Sequence, residues 1–223
     1  MSLPKSYYSH AGQTIYHGDC RDILPLLPKV DLVLTDPPYN VGKNYGTWDD
    51  NMDASAYESF IQQVISLTYD VPHQAWIVPR YKVALFLAHL PRLQHLVIIT
   101  RRASGPFRQG WSDQFETVVT VGKPMRCVSD LWDDIRLVGE GYFFREERYG
   151  HPGYTPYPIM ARCVDLLSEP AQMVLDPFAG TGTTLVAAKL LGRRGIGIEI
   201  EERYCEIAAN RLGQEVLPFV GGD

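Results

Sequence analysis

Short, almost uninterrupted apolar runs recur along these 223 residues, and segments whose apolar residues repeat every three or four positions lie between them. The runs are Ile15–His17, Leu32–Thr35, Ala75–Val78, Leu96–Thr100, Thr117–Val121, Met173–Leu175 and Gly195–Ile198. Strands that are apolar on both faces belong to a parallel sheet covered on both sides. The helical sets are Tyr57, Phe60, Ile61, Val64, Thr68; Val83, Phe86, Leu87, Leu90; Ile159, Met160, Cys163, Val164, Leu167; and Tyr204, Ile207, Ala208, Leu212. Such spacing puts each set on one side of a helix. Strand and helix in alternation predict an open, doubly wound α/β fold: a mostly parallel seven-stranded sheet with helices on both faces. The length suits one domain, residues 1–223. Residues 123–154 lack periodicity and read as a short, loop-rich insertion on the sheet's rim.

No run approaches the length of a membrane span. Residues 1–12 are polar and aromatic, without a secretory signal's apolar region, so a cytoplasmic location is expected. The four cysteines, Cys20, Cys127, Cys163 and Cys205, form no C-x-x-C pair; free thiols and no metal site are expected. The formal net charge of −5 argues mildly against a nucleic-acid partner. Binding needs only a local positive stripe, however. Arg101, Arg102, Arg108, Lys123, Arg126, Arg145 and Arg148 fall in one central stretch. Asp130, Asp133, Asp134, Glu146 and Glu147 interleave with them, as on a solvated surface.

Residues 173–184 read Met-Val-Leu-Asp-Pro-Phe-Ala-Gly-Thr-Gly-Thr-Thr. A strand ends, a glycine turn follows, and a helix begins near Thr183. Gly180 and Gly182 let the backbone approach a ligand closely, at the strand's carboxyl end where doubly wound sheets bind ligands. The next strand ends in Glu199, at the distance where such folds place a ribose-hydroxyl acceptor. A dinucleotide site would carry G-x-G-x-x-G, but Leu185 stands at the third position, and G-K-[ST] is missing too. A plain glycine turn is the structural alternative. Asp176 favours a nucleoside without phosphates: a carboxylate there repels phosphate and pairs with an ammonium, as S-adenosylmethionine carries.

Residues 31–40 read Asp-Leu-Val-Leu-Thr-Asp-Pro-Pro-Tyr-Asn. Another apolar strand ends in an acid, Asp36, and two prolines stiffen the loop after it. The exocyclic amine of a nucleobase is a poor nucleophile because its lone pair is delocalised into the ring. Asp36 and the Pro37 carbonyl can accept its two N–H groups, drawing the nitrogen towards tetrahedral geometry for attack on a sulfonium methyl. Rigid acceptors need no reorganisation. The base must first leave the duplex, and Tyr39 offers a face on which it could stack. Alone, Asp-Pro-Pro would usually mean a capped proline turn; an acid, two prolines and an aromatic directly after an apolar strand is more specific.

With these motifs in place, the chain resembles the beta-arranged DNA amino-methyltransferases, which modify adenine N6 or cytosine N4. The resemblance rests on His-Gly-Asp-Cys at 17–20, the stretch 35–51, His-Pro at 151–152 and the stretch 176–212, and is weakest over 123–150. It implies a Rossmann-like methyltransferase fold, S-adenosylmethionine as cofactor with S-adenosylhomocysteine as product, and a DNA substrate. It implies a catalytic motif of Asp36, Pro37, Pro38 and Tyr39. The implied cofactor site comprises Asp19, Cys20, Asp36, Asp176, Pro177, Phe178, Ala179, Gly180, Thr181, Gly182, Thr183, Glu199 and Ile200. It brings the strands ending at Asp36 and Asp176 side by side, makes 123–154 the candidate target-recognition region, and carries the expectation of a homodimer and a cognate restriction enzyme. One departure stands out. Relatives often carry His-Pro-Thr-Gln-Lys-Pro, whereas residues 151–156 read His-Pro-Gly-Tyr-Thr-Pro, so Thr155 replaces the lysine.

Cytosine C5 chemistry needs a cysteine nucleophile, usually after proline, and no Pro-Cys occurs. Cytosine N4 shares the amine mechanism, but relatives acting on cytosine more often have serine where Asp36 stands, which favours adenine N6. Methylation of RNA or of a protein amide uses a similar pocket. A catalytically dead nucleic-acid-binding module would show damage between Asp36 and Tyr39, and that stretch is intact.

Overall fold

The computed structural model describes residues 2–91, 94–100, 115–133 and 155–214. Nine strands among them form one sheet: β1 (Tyr8–His10), β2 (Gln13–His17), β3 (Leu32–Thr35), β4 (His73–Val78), β5 (Gln94–Thr100), β6 (Phe115–Val121), β7 (Leu131–Trp132), β8 (Met173–Asp176) and β9 (Arg194–Glu199). The order is β1-β2-β9-β8-β3-β4-β6-β5-β7. The strands from β2 to β4 in that order run parallel, and β6 is antiparallel to both β4 and β5. The seven apolar runs are the seven inner strands. The additions, β1 and β7, lie at the two edges and are too short to show a pattern.

Among the described residues the α-helices are α1 (Cys20–Ile23), α2 (Ala54–Leu67), α3 (Val83–His89), α4 (Tyr157–Leu167), α5 (Thr183–Leu190) and α6 (Glu202–Gly213). One turn of helix, as in α1, is too short for periodicity to reveal. Asp53 caps α2 by accepting from the amides of Ser55 and Ala56, which satisfies two N–H groups that otherwise lack intrahelical partners. At the other end of the fold, Lys189 donates to the Leu212 and Gln214 carbonyls and closes the end of α6.

Strand side chains alternate between two apolar layers. Val33, Trp76, Val78 and Leu175 meet α2 and α3, which contribute Phe60, Ile61, Val64 and Phe86. Leu32, Leu34, Ala75 and Ile77 face the other way, towards Ile159, Met160, Cys163 and Val164 of α4. Leu185 of α5 and Ala208 and Leu212 of α6 close a third cluster with Ile15. Burying a large aliphatic side chain contributes about 1.5–3 kcal/mol. Truncating a fully buried one such as Ile61 to alanine should therefore cost about 2–5 kcal/mol. Three expected core positions are corrected. Leu87 is exposed, because α3 is two turns long and packs through Phe86, with Leu90 following its end. Leu96 and Ile98 of β5 are exposed too, so one face of that strand is open among the described residues.

The register pairs Leu32 with Val174 and Val33 with Leu175. Asp36 and Asp176, 140 positions apart in sequence, therefore leave the sheet side by side. The chain departs from β8 towards β9 and from β3 towards β4, in opposite directions, so a crevice opens between their carboxyl ends.

Of the expected insertion, residues 123–133 are described and include β7; 134–154 lie outside the described residues, as do Arg101, Arg102, Arg108, Arg145 and Arg148. Arg126 forms an ion pair with Asp165 of α4. Cys20, Cys163 and Cys205 are buried, Cys127 is exposed, and all four are free. No described helix is long and apolar enough to cross a membrane.

Candidate active site

Asp176 ends β8 with its carboxylate buried and both oxygens hydrogen-bonded. Oδ1 accepts from the Thr35 hydroxyl at 2.6 Å and the Phe178 amide at 3.0 Å, and Oδ2 accepts from the Thr184 hydroxyl at 2.6 Å. It thus ties β3, the glycine turn and α5 together. Burial pushes its carboxyl up to about 6, against those hydrogen bonds. The ammonium partnership expected from sequence would use lone pairs that these three donors leave over.

The turn then crosses the end of β9. The Ala179 amide donates to the Ile198 carbonyl at 2.9 Å, and the Gly180 amide to Glu199 Oε2 at 2.8 Å. Gly182 sits at φ +81°, and a Cβ there would lie 2.8 Å from that of Ala208. Glycine is required at this position by backbone conformation and by α6 pressing on the turn. Arg211 of α6 adds a brace from outside, donating to the Thr181 carbonyl at 2.5 Å and reaching the Thr181 and Thr183 hydroxyls.

Glu199 clamps two segments at once, because its Oε1 accepts from the Glu201 amide at 2.8 Å. Burial pushes it up to about 7. Ile200 is half-buried, and its carbonyl is bonded to His17 at 3.0 Å. Asp19 caps α1 and is bound by the Arg21 guanidinium, which holds its carboxyl below the usual range. Adjacent Cys20 is buried and pushed up to about 12 by that burial.

Asp36 is half-buried at the end of β3. The Tyr39 hydroxyl donates to Oδ1 and the Thr155 hydroxyl to Oδ2. Burial raises the Asp36 carboxyl, while these two bonds and the Lys43 charge pull it down. Tyr39, expected to offer a stacking face, has its hydroxyl turned inward to Asp36 and to the Ile77 carbonyl at 3.0 Å. Pro37 is buried, and the Pro38 carbonyl accepts from the Tyr57 hydroxyl of α2 at 3.0 Å. Together these contacts lock the loop to β4 and α2.

The segment after Tyr39 is organised around another buried acid. Asp50 accepts from the amides of Asn40, Val41 and Lys43 at 2.8–3.1 Å, and the Asn40 side chain exchanges two bonds with the Met52 backbone. Further along, Thr47 donates to Glu201 through its amide and its hydroxyl. Trp48 packs on Phe60 at 4.5 Å, Phe60 on Phe178 at 5.8 Å, and Arg21 lies 5.4 Å from the Phe60 ring centre. This aromatic group joins the Asn40–Met52 segment to the glycine turn.

A cleft opens between the two motifs. Asp36 and Thr155 line one side, Asp176, Phe178, Gly180 and Thr181 the other. Of the residues singled out from sequence, Asp36, Asp176, Phe178, Ala179, Gly180, Thr181 and Thr183 line this cleft. Glu199 joins it through the Gly180 amide, whereas Asp19, Cys20, Pro37, Pro38, Tyr39, Pro177, Gly182 and Ile200 lie outside its lining. Sequence reasoning missed Asp50, Tyr57, Arg21, Arg211 and the Thr155 hydroxyl contact. Asp50 and Arg211 fall within the resembling stretches 35–51 and 176–212, which was their one available signal. No motif spacing points to the others.

A DNA methylase family model matches residues 30–78 and 123–210, more than half of the chain. The chain belongs to the N6/N4 DNA methylase family. Among curated methylases, it is similar to the type II methyltransferase M.HpaI of Haemophilus parainfluenzae, 27% identical with 85% of this chain and 70% of that one covered. It is also similar to the DNA adenine methyltransferase YhdJ of Escherichia coli (strain K12), 24% identical with 92% and 84% covered. Among solved structures, the cytosine-N4-specific PvuII DNA methyltransferase superposes with a TM-score of 0.70 at 17% identity, covering 97% of this chain and 89% of the other. The M1.HpyAVI–SAM complex gives 0.66 at 21%, with 91% and 100% covered. These methylase structures share the α/β fold described above.

Proposed function

We propose that this methylase transfers a methyl group from S-adenosylmethionine to the N6 amino group of adenine in DNA. One observation carries the reading: Asp36, ending β3, lines the same cleft as the glycine turn after β8. An acceptor for an amine and a cradle for a cofactor therefore face each other across adjoining strand ends.

The residues present fit this cofactor. The turn lines the cleft at Gly180, which leaves out a side chain, and the acids bonded to it are Asp176 and Glu199. Carboxylates favour a ligand bearing a sulfonium and an ammonium and oppose a diphosphate. Glu199, at the end of β9, has lone pairs left for ribose hydroxyls. Phe178 is half-buried beside Phe60 and offers an apolar edge. When bound, the cofactor supplies an electrophilic methyl. The protein's own part is to hold Asp36 towards the incoming amine, keep Pro37 and Pro38 rigid, and exclude water. The Tyr39 hydroxyl stands where an amine N–H would bond, and its bond to the Ile77 carbonyl gives it an alternative acceptor as the base arrives.

Adenine is favoured because an aspartate, where cytosine-acting relatives more often have serine, opens the Asp-Pro-Pro-Tyr motif; the name of YhdJ points the same way. Residues 123–154 are the candidate for reading DNA sequence, within what we take as a single catalytic domain. The type II designation of M.HpaI supports a cognate restriction enzyme as partner, and a homodimer is the expected assembly. The test is to incubate the protein with unmethylated DNA and S-adenosylmethionine, then identify modified nucleosides by mass spectrometry. N6-methyladenine is the expected product. N4-methylcytosine would retain the amine chemistry and overturn the base assignment. DNA binding without any modified base would indicate an inactive binding module.

A further inference from the structure

We propose that Thr155 is a positioning residue for Asp36, holding Oδ2 of the carboxylate so that Oδ1 is the oxygen presented to the target amine. This rests on the methyltransferase reading above. Thr155 lies in the run leading into α4, 119 positions from Asp36, and donates its hydroxyl to Oδ2. It is buried at 9% exposure, and Met160 from the first turn of α4 lines the same cleft. Tyr39 holds the opposite oxygen.

The two hydroxyls are not equivalent. Each has one proton to donate. The Tyr39 proton has a second acceptor in place, the Ile77 carbonyl at 3.0 Å, so rotation of the O–H releases Oδ1 without leaving the hydroxyl unsatisfied. For the Thr155 hydroxyl, the acceptor recorded among the described residues is Asp36 alone. A base entering the cleft therefore displaces Tyr39 and leaves Thr155 in place. The carboxylate keeps one fixed oxygen and turns the other to the amine, with no reorganisation left for the moment of reaction. This role arises where the related pattern carries lysine: threonine brings no charge, but its short side chain reaches the carboxylate. Other groups facing Asp36 are Lys43, which favours its charged form, and Asp176, Tyr45 and Tyr57, whose own titrations feel its charge.

Thr155→Val preserves shape and deletes the donor; Thr155→Ser preserves the donor. Two measurements are made on wild type and both variants: steady-state methylation of DNA, and titration of the Asp36 carboxyl by ¹³C NMR. Loss of a hydrogen bond to a charged acceptor should lower kcat about tenfold or more in the valine variant, with KM for DNA changing little. The Asp36 midpoint should rise in the valine variant, because the bond that stabilises its charged form is gone. The serine variant should restore both. Wild-type turnover and an unshifted midpoint in Thr155→Val would overturn the proposal. An unshifted midpoint with lowered turnover would also overturn it, assigning the loss to packing. Should wild type methylate no DNA, the functional reading fails separately, and an unshifted midpoint would still refute the contact.

Discussion

Replacing Glu199 with glutamine removes a carboxyl that burial pushes up to about 7, from an ordinary value of 4.5. A folded-state value above the unfolded one means that the folded protein binds the proton more tightly. Glu199 therefore contributes most to stability below about pH 4.5, and that contribution is lost as pH rises towards about 7. Between roughly pH 5.5 and 8 the loss from this one group is about 2 kcal/mol. Asp176, raised to about 6 from 3.8, adds less than about 1 kcal/mol over the same interval. Urea unfolding of the ligand-free protein at both pH values should show wild type losing about 2 kcal/mol more than Glu199→Gln. Cofactor binding should run the other way. Ribose hydroxyls and a nearby cation stabilise the ionised form, whose share rises from about one-tenth near pH 6 to about nine-tenths near pH 8. Wild-type Kd for S-adenosylmethionine should therefore tighten about tenfold over that range, and the glutamine variant should bind more weakly with a flat profile. Calorimetry at the two pH values measures both. A flat wild-type profile, or a glutamine variant of undiminished affinity, would refute the placing of Glu199 in the cofactor site.

Asp36→Ala should lower kcat by about a hundredfold or more, because its proposed partner is the reacting amine; cofactor Kd, read by calorimetry, should stay within about threefold. Gly182→Ala should destabilise the fold by about 1–3 kcal/mol in chemical denaturation, since φ is +81° and the new Cβ would meet Ala208 at 2.8 Å. Arg193, 8% exposed, donates to the Leu191 and Ser168 carbonyls at 2.6 Å each. Arg193→Ala should cost about 3 kcal/mol in the same assay, because it leaves buried carbonyls unpaired.

The seven inner strands were legible because each carries an apolar run on both faces, a pattern written into three to five consecutive residues. The helices α2, α4 and α6 were legible for a similar local reason, with apolar residues every three or four positions. Both site motifs were visible because their chemistry is contiguous: Asp36 to Tyr39, and Asp176 to Thr183, each directly after a strand. What the tertiary structure alone decided is which side chains close on those motifs. Thr35 on Asp176, Thr155 on Asp36, Tyr57 on Pro38 and Arg211 on the glycine turn join positions from 19 to 141 residues apart. Such partners depend on strand order and helix placement, which bring distant segments to one end of the sheet. A short polar side chain looks the same in sequence whether it faces water or a buried carboxylate. Tyr39 follows the same logic: the sequence showed an aromatic ring after the prolines, and the tertiary structure added that its hydroxyl is aimed at the acid that opens its own motif.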